Sequence, residues 1–84
     1  MTAKTKKIHV QYYAVLREAR GVSQETVATN SADAKELYLE LKHKFGFTLG
    51  RDLVKVAVND QFKDWDTELT SGDTVIFIPP VAGG

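Results

Sequence analysis

The chain has 84 residues, no cysteine, and eleven basic side chains that balance eleven acidic ones. A chain of this length forms one domain with a single small core, which leaves little room for an enclosed substrate pocket. The lack of cysteine excludes disulfides, thiol nucleophiles and thiolate metal sites. A net charge of zero argues against nucleic-acid binding, which normally needs a basic surface. We therefore predict a single globular domain over residues 1–84 that has no nucleic-acid partner.

The first residues indicate neither secretion nor membrane insertion. Lys4, Lys6 and Lys7 are not followed by the apolar segment of a signal peptide. The longest apolar stretch, near Val75–Ile78, is far shorter than the ~20 residues that span a bilayer. We predict that residues 1–7 are a frayed leader, that the protein is cytoplasmic, and that it has no membrane partner.

Alternating side chains predict two strands in the first third of the chain. From Ile8 to Tyr13 every second residue is apolar, which is the period of a strand. Gln24 to Ala28 predicts a return strand that pairs with the first as a hairpin. The connection between them, from Ala14 to Ser23, is predicted to be a long loop.

An amphipathic helix is predicted next. Asn30 or Ser31 is expected to cap its start, with Asp33 in the first turn, and Gly46 is expected to end it. Apolar residues at helical spacing form one stripe along it. The residues of this stripe are Ala34, Leu37, Tyr38, Leu41 and Phe45.

Three further strands complete the predicted fold. They cover Val54–Val58, Gln61–Lys63 after a turn at Asn59-Asp60, and Thr74–Ile78, which two prolines terminate. The last strand is apolar on both faces, so we predict that it lies at the sheet centre, parallel to the first. The order of two strands, one helix and three strands predicts an α+β domain with a mixed sheet and one main helix, the β-grasp or ubiquitin-like architecture.

Histidines and carboxylates do not form a recognisable catalytic or metal site in the sequence. His9 and His43 have no further ligand at metal-binding spacing. The acidic segment 64–68 is followed by Leu69, at the position where a calcium loop needs glycine, and we expect Trp65 to pack at the rim of the core. We predict no metal site and no stably bound cofactor.

The end of the sequence carries the clearest functional pattern. Residues 79–84 read Pro-Pro-Val-Ala-Gly-Gly directly after the last strand. Two prolines favour an extended segment, and two glycines let a terminal carboxyl enter a narrow channel in another enzyme. We predict a functional tail with Gly84 as its reacting residue; a flexible end without function is the alternative. The residues predicted to insert with it are Pro79, Pro80, Val81, Ala82 and Gly83.

A second pattern lies on the predicted outer face of the sheet. If Val75 and Phe77 face the helix, Ile76 and Ile78 must face away from it. Tyr13 and Phe62 are predicted to join these two isoleucines. An exposed apolar patch usually marks a partner surface; coverage by loops is the alternative.

Two segments of the sequence resemble the motifs of a known family. Residues 13–21 read Tyr-Ala-Val-Leu-Arg-Glu-Ala-Arg-Gly, and residues 69–75 with 78–84 read Leu-Thr-Ser-Gly-Asp-Thr-Val and Ile-Pro-Pro-Val-Ala-Gly-Gly. They resemble the aromatic-Ala-x-Leu-Arg-Glu-x-x-Gly signature and the C-terminal block of the small subunit of molybdopterin synthase, a ubiquitin-like sulfur carrier. This chain has Tyr13 and Ile78 at positions where phenylalanine is common.

The resemblance implies a mechanism in which other proteins supply the catalysis. A ubiquitin-activating-like enzyme would adenylate Gly84 with ATP, and a sulfurtransferase system would convert it to a thiocarboxylate. The tail would then enter the large synthase subunit, where sulfur passes to a pterin precursor to build the dithiolene of the molybdenum cofactor. Tyr13, Phe62 and Ile78 would dock on the large subunit in a heterotetramer, with Arg17 near that surface.

Two alternatives remain open from the sequence. In the first, the carrier chemistry serves another acceptor, such as the thiazole of thiamin, a tRNA, or protein lysines as in ubiquitin-like conjugation. Thiazole carriers have a similar tail but usually lack the double proline. The second alternative is a β-grasp interaction module whose glycines are never activated.

Overall fold

A computed structural model describes residues 5–80; the predictions made for residues 1–4 and 81–84 lie outside the described residues. The helices and strands follow one another in the order strand, helix, strand, helix, 3₁₀ turn and three strands. Their bounds are β1 Lys6–Tyr12, α1 Ala14–Arg20, β2 Gln24–Thr29, α2 Ala34–Phe45, the 3₁₀ turn Arg51–Leu53, β3 Lys55–Val58, β4 Gln61–Lys63 and β5 Thr74–Ile78.

The strands form a single mixed sheet. Its order is β2-β1-β5-β3-β4, so β5 lies at the centre. β5 runs parallel to β1 and antiparallel to β3, and the two outer pairs are antiparallel hairpins. The predicted α+β sheet, with the last strand central and parallel to the first, is confirmed.

The core lies between α2 and one face of the sheet. Leu37, Tyr38 and Leu41 of α2 are almost fully buried against Val75 and Phe77 of β5. The Tyr38 ring lies 5.1 Å from the Phe77 ring, and its hydroxyl donates a hydrogen bond of 2.7 Å to the Leu49 carbonyl. Burial of these large side chains is the main source of stability in a domain of this size.

The limits of α2 are set by its two caps. Gly46 adopts φ +75° and ends the helix as predicted, because glycine enters the left-handed region without steric cost. The N-cap is Asp33, which accepts a hydrogen bond from the Glu36 amide, so the prediction of Asn30 or Ser31 is wrong. Ser31 is engaged elsewhere, since its hydroxyl bonds to Thr29 and Glu40.

The first strand starts earlier than predicted. Lys6 and Lys7 lie opposite Thr29 and Ala28 in the β1–β2 ladder, and the Lys7 amide donates to the Ser71 hydroxyl. The predicted leader over residues 1–7 is therefore too long, because its last two residues belong to the sheet.

The segment predicted as a long loop contains a helix. α1 covers seven residues and is anchored to the core by Leu16 alone. Gly21 ends it at φ +90°, with its amide bonded to the Arg17 carbonyl. A single buried residue gives no apolar periodicity, which is why the sequence pattern did not reveal this helix.

Candidate functional site: the outer face of the sheet and the base of the tail

The strand register aligns side chains from four strands, most of them apolar, on the face opposite α2. Gln11 of β1 lies opposite Ile76 of β5, Ile76 lies opposite Ala57 of β3, and Ala57 lies opposite Phe62 of β4. Residues directly opposite one another share a face. Ile78, two residues beyond Ile76 on β5, lies on the same face.

Four residues of this face form what we call the outer patch: Tyr13, Phe62, Ile76 and Ile78. Phe62 is 69% exposed and Tyr13 is 47% exposed, while the two isoleucines are half-buried. Within residues 5–80, then, no loop covers the two aromatic side chains. The structure brings together the four apolar residues that the sequence singled out; their role in binding a partner stays a prediction.

The unpredicted helix α1 places Arg17 next to this patch. Ala14 has φ +50°, and the Tyr13 carbonyl accepts the amides of Leu16 and Arg17, so the chain turns from β1 directly into α1. Tyr13 and the exposed Arg17 therefore line a shallow depression of about 220 Å³ with Gln11 as a neighbour. Arg17 thus has the surface position that the sequence predicted.

A charged cluster fixes the far end of α1 to the sheet. The Arg20 guanidinium donates two hydrogen bonds to the Glu25 carboxylate, of 2.8 and 2.6 Å, and the buried Tyr12 hydroxyl donates a third of 2.6 Å. These bonds, those from Arg20 first, hold the pKa of Glu25 below its ordinary value of 4.5. Burial, and then the Glu25 carboxylate, raise the pKa of Tyr12, which therefore remains a donor. The cluster joins α1, β1 and β2.

The base of the predicted tail forms part of a groove at the end of the sheet. Pro79 is buried and Pro80 is exposed. Pro79 therefore packs against the body of the domain. Within the described residues, Pro80 is the exposed residue of the predicted tail. The groove has a volume of about 680 Å³, and its walls include Leu53, Lys55, Trp65, Ile78 and Pro80. No sequence pattern selects Leu53 or Lys55, because only the fold brings them beside Pro80.

The histidines and carboxylates of the described residues do not form a metal site. Within residues 5–80, no three histidine or carboxylate side chains converge as metal ligands would. His9 bonds through Nε2 to the Gln24 side chain, at 2.9 Å. Neither helix in this part of the chain has the length and hydrophobicity needed to cross a bilayer.

The mixed sheet with α2 across one face defines a β-grasp, or ubiquitin-like, domain with an exposed apolar patch beside its last strand. The model of the ThiS family matches residues 10–84. The chain therefore belongs to the ThiS family, in agreement with the resemblance seen in its sequence.

Named relatives agree with this assignment. The molybdopterin synthase sulfur carrier subunit of Mycobacterium tuberculosis is 35% identical over 81 residues, which cover 93% of this chain and 98% of the relative. A Pyrococcus furiosus structure described as molybdopterin converting factor subunit 1 is 34% identical with a TM-score of 0.72, covering 90% and 99% of the two chains. A Helicobacter pylori structure of subunits 1 and 2 of molybdopterin-converting factor, in complex, contains a chain 29% identical with a TM-score of 0.63, covering 93% and 99%.

Proposed function

We propose that this chain is the sulfur carrier subunit of molybdopterin synthase. The observation that carries the proposal is the position of Pro80, at the end of the central strand and beside the exposed outer patch. Gly84 follows four residues later, so its carbonyl carbon lies within about 14 Å of Pro80 even in a fully extended chain. A partner that binds the outer patch therefore has Gly84 within reach of its active site.

The chemistry proceeds on the carboxyl group of Gly84. A carboxylate is ionised at neutral pH and resists nucleophiles, so it must first be activated. An adenylating partner joins a carboxylate oxygen to the α-phosphorus of ATP and releases pyrophosphate. A sulfurtransferase system then delivers sulfur at the oxidation level of sulfide, which attacks the acyl carbon and expels AMP, leaving a thiocarboxylate. ATP is thus a substrate of the partner, and this chain holds no cofactor.

The thiocarboxylate is consumed in the large subunit. Its sulfur attacks a carbon of a pterin precursor and replaces an oxygen substituent there, which leaves as water or as a phosphate oxygen. Water then cleaves the thioester bond between that sulfur and the acyl carbon of Gly84, which restores the carboxylate. A dithiolene contains two sulfur atoms, so two such transfers complete one molybdopterin. We place the tail residues Pro80, Val81, Ala82 and Gly83 in the channel of the large subunit, with Pro79 at its mouth. We propose that the protein meets these partners in the cytoplasm, where the adenylating enzyme has ATP as its substrate.

A reconstitution experiment tests this assignment. The thiocarboxylated full chain is mixed with the large subunit from the same organism and the pterin precursor, and molybdopterin is measured by mass spectrometry. We expect molybdopterin to form as the thiocarboxylate is lost, and none to form with a chain that lacks Gly84. If the large subunit leaves the thiocarboxylate intact while a thiazole synthase consumes it, the acceptor we propose is wrong.

A further inference from the structure

The groove beside Pro80 extends the apolar surface around the end of the sheet. Ile78 belongs to both the outer patch and the groove, whereas Leu53 and Trp65 lie beyond the patch. Leu53 is 52% exposed, and Trp65 packs its ring 6.0 Å from Phe77 at the rim of the core. The groove is thus lined by the half-buried ring of Trp65 and, at its edge, by the exposed side chain of Leu53.

The length of the tail limits which surfaces a partner must cover. Gly84 can be no more than about 14 Å from Pro80. A protein that encloses Gly84 must therefore have its active site within about 14 Å of Pro80, which forms part of the groove wall. A partner that binds the outer patch therefore also lies next to the walls of this groove. If the partner covers the exposed apolar side chains of the groove, their burial adds to the binding affinity.

The charged residues of the groove indicate what the partner presents. Arg51, Asp52 and Lys55 line it, which gives a formal charge of +1. Lys55 lies opposite Ile78 on the outer face and is exposed. The salt bridge found within residues 5–80 joins Arg20 to Glu25, so no carboxylate in this part of the chain pairs with Lys55. A partner surface complementary to the groove would therefore have a carboxylate to pair with Lys55 and, next to it, an apolar side chain to pack in the groove.

We propose that the large subunit seats an apolar side chain against Leu53 and pairs a neighbouring carboxylate with Lys55, in addition to its contact with the outer patch. This inference rests on the proposed function, because it assumes that the large subunit is the protein that receives the tail. It adds a second contact region, which neither the sequence motifs nor the outer patch define.

The test compares dissociation constants of full-chain variants with the large subunit, measured by calorimetry. We expect Leu53→Ser to weaken binding about fivefold to tenfold, as for an interface residue of moderate importance. The matched control is Leu39→Ser on α2, because Leu39 is 48% exposed but lies on the far side of the sheet from the outer patch. Thermal unfolding of each variant checks that the change in affinity does not come from loss of the fold.

The charge contact has its own control. We expect Lys55→Glu to weaken binding about tenfold at low salt, and the loss to shrink at high salt because screening weakens the interaction between the charges. Lys7→Glu reverses a charge in the same way on the same face at the opposite end of the sheet, and should bind as the unaltered chain does. Lys55→Ala distinguishes loss of attraction from added repulsion, and should show a smaller but salt-dependent loss.

The outcomes separate the two proposals. If Leu53→Ser or Lys55→Glu binds as tightly as its control while Phe62→Ser binds weakly, the groove contact is wrong and the proposed function stands. If the unaltered chain does not bind the large subunit at all, both proposals are wrong, since that subunit then covers neither surface.

Discussion

Glu25 shows how one carboxylate can position Tyr13, a residue of the outer patch that it does not contact. It binds Arg20 of α1 and Tyr12 of β1, and the Arg20 guanidinium also lies 4.1 Å from the Phe45 ring centroid at the end of α2. Side chains from β1, β2, α1 and α2 therefore meet around the Arg20–Glu25 pair. Since Tyr12 precedes Tyr13, the cluster also fixes the strand end from which the outer patch begins.

Acid should weaken the domain through this residue. The folded-state pKa of Glu25 lies below its ordinary value of 4.5, so near that value the unfolded chain binds more protons than the folded one. The stabilisation is present above pH 4.5 and is lost as the pH falls through the lower, folded-state pKa. Urea unfolding between pH 7 and 3 should show this decline, with a shallower slope for Glu25→Gln. Identical slopes for the two proteins would contradict it.

Removal of the Tyr12 hydroxyl tests the same cluster without changing charge. A hydrogen bond to a charged group contributes about 1.5–3 kcal/mol, so Tyr12→Phe should lower the free energy of unfolding by about that amount. Tyr13→Phe is the control, because Tyr13 is exposed and its hydroxyl makes no hydrogen bond within the described residues. Equal unfolding free energies for both variants would show that the bond contributes nothing.

At the scale of elements, the sequence predicted those helices and strands whose position is determined by apolar periodicity or by a glycine. The stripe from Ala34 to Leu41 and the cap at Gly46 identified α2, and the two apolar faces of β5 placed it at the sheet centre. Helix α1 was not predictable because only Leu16 is buried. The groove was not predictable either, because Leu53 and Pro80 lie 27 positions apart in the sequence and meet only after β3 pairs with β5.

The turn between β3 and β4 offers a test of local geometry. Asn59 and Asp60 have φ angles of +52° and +71°, the signs of a type I′ hairpin turn, for which Asn-Gly is the favoured pair. Asp60→Gly should therefore raise the free energy of unfolding by about 0.5–1 kcal/mol. Asn59→Gly should lower it, because the Asn59 side chain bonds to Asp73 and to the Thr74 amide. Calorimetric melting temperatures check both signs.

At the scale of the whole molecule, the sheet has one face buried under α2, which maintains the fold, and an outer face on which Tyr13 and Phe62 are exposed. Phe62 is on the edge strand β4 and is 69% exposed, so its side chain contributes little to the core. An exposed aromatic residue in that position is typical of a surface that binds a partner.

Phe62→Ser should separate docking from folding. We expect the melting temperature to change little, because the phenylalanine is mostly exposed, while affinity for the large subunit falls by about tenfold or more. Calorimetry of unfolding and of binding measures both quantities on the same protein. A variant that loses stability as much as affinity would indicate a structural role for this residue instead.

The central claim is that Gly84 carries sulfur. The full chain is incubated with its adenylating enzyme, ATP and a sulfur source, and its intact mass is measured. We predict a gain equal to the difference between one sulfur and one oxygen atom, located at Gly84 by fragmentation and absent when ATP is omitted. An unchanged mass under conditions in which the adenylating enzyme activates a known carrier would contradict the account.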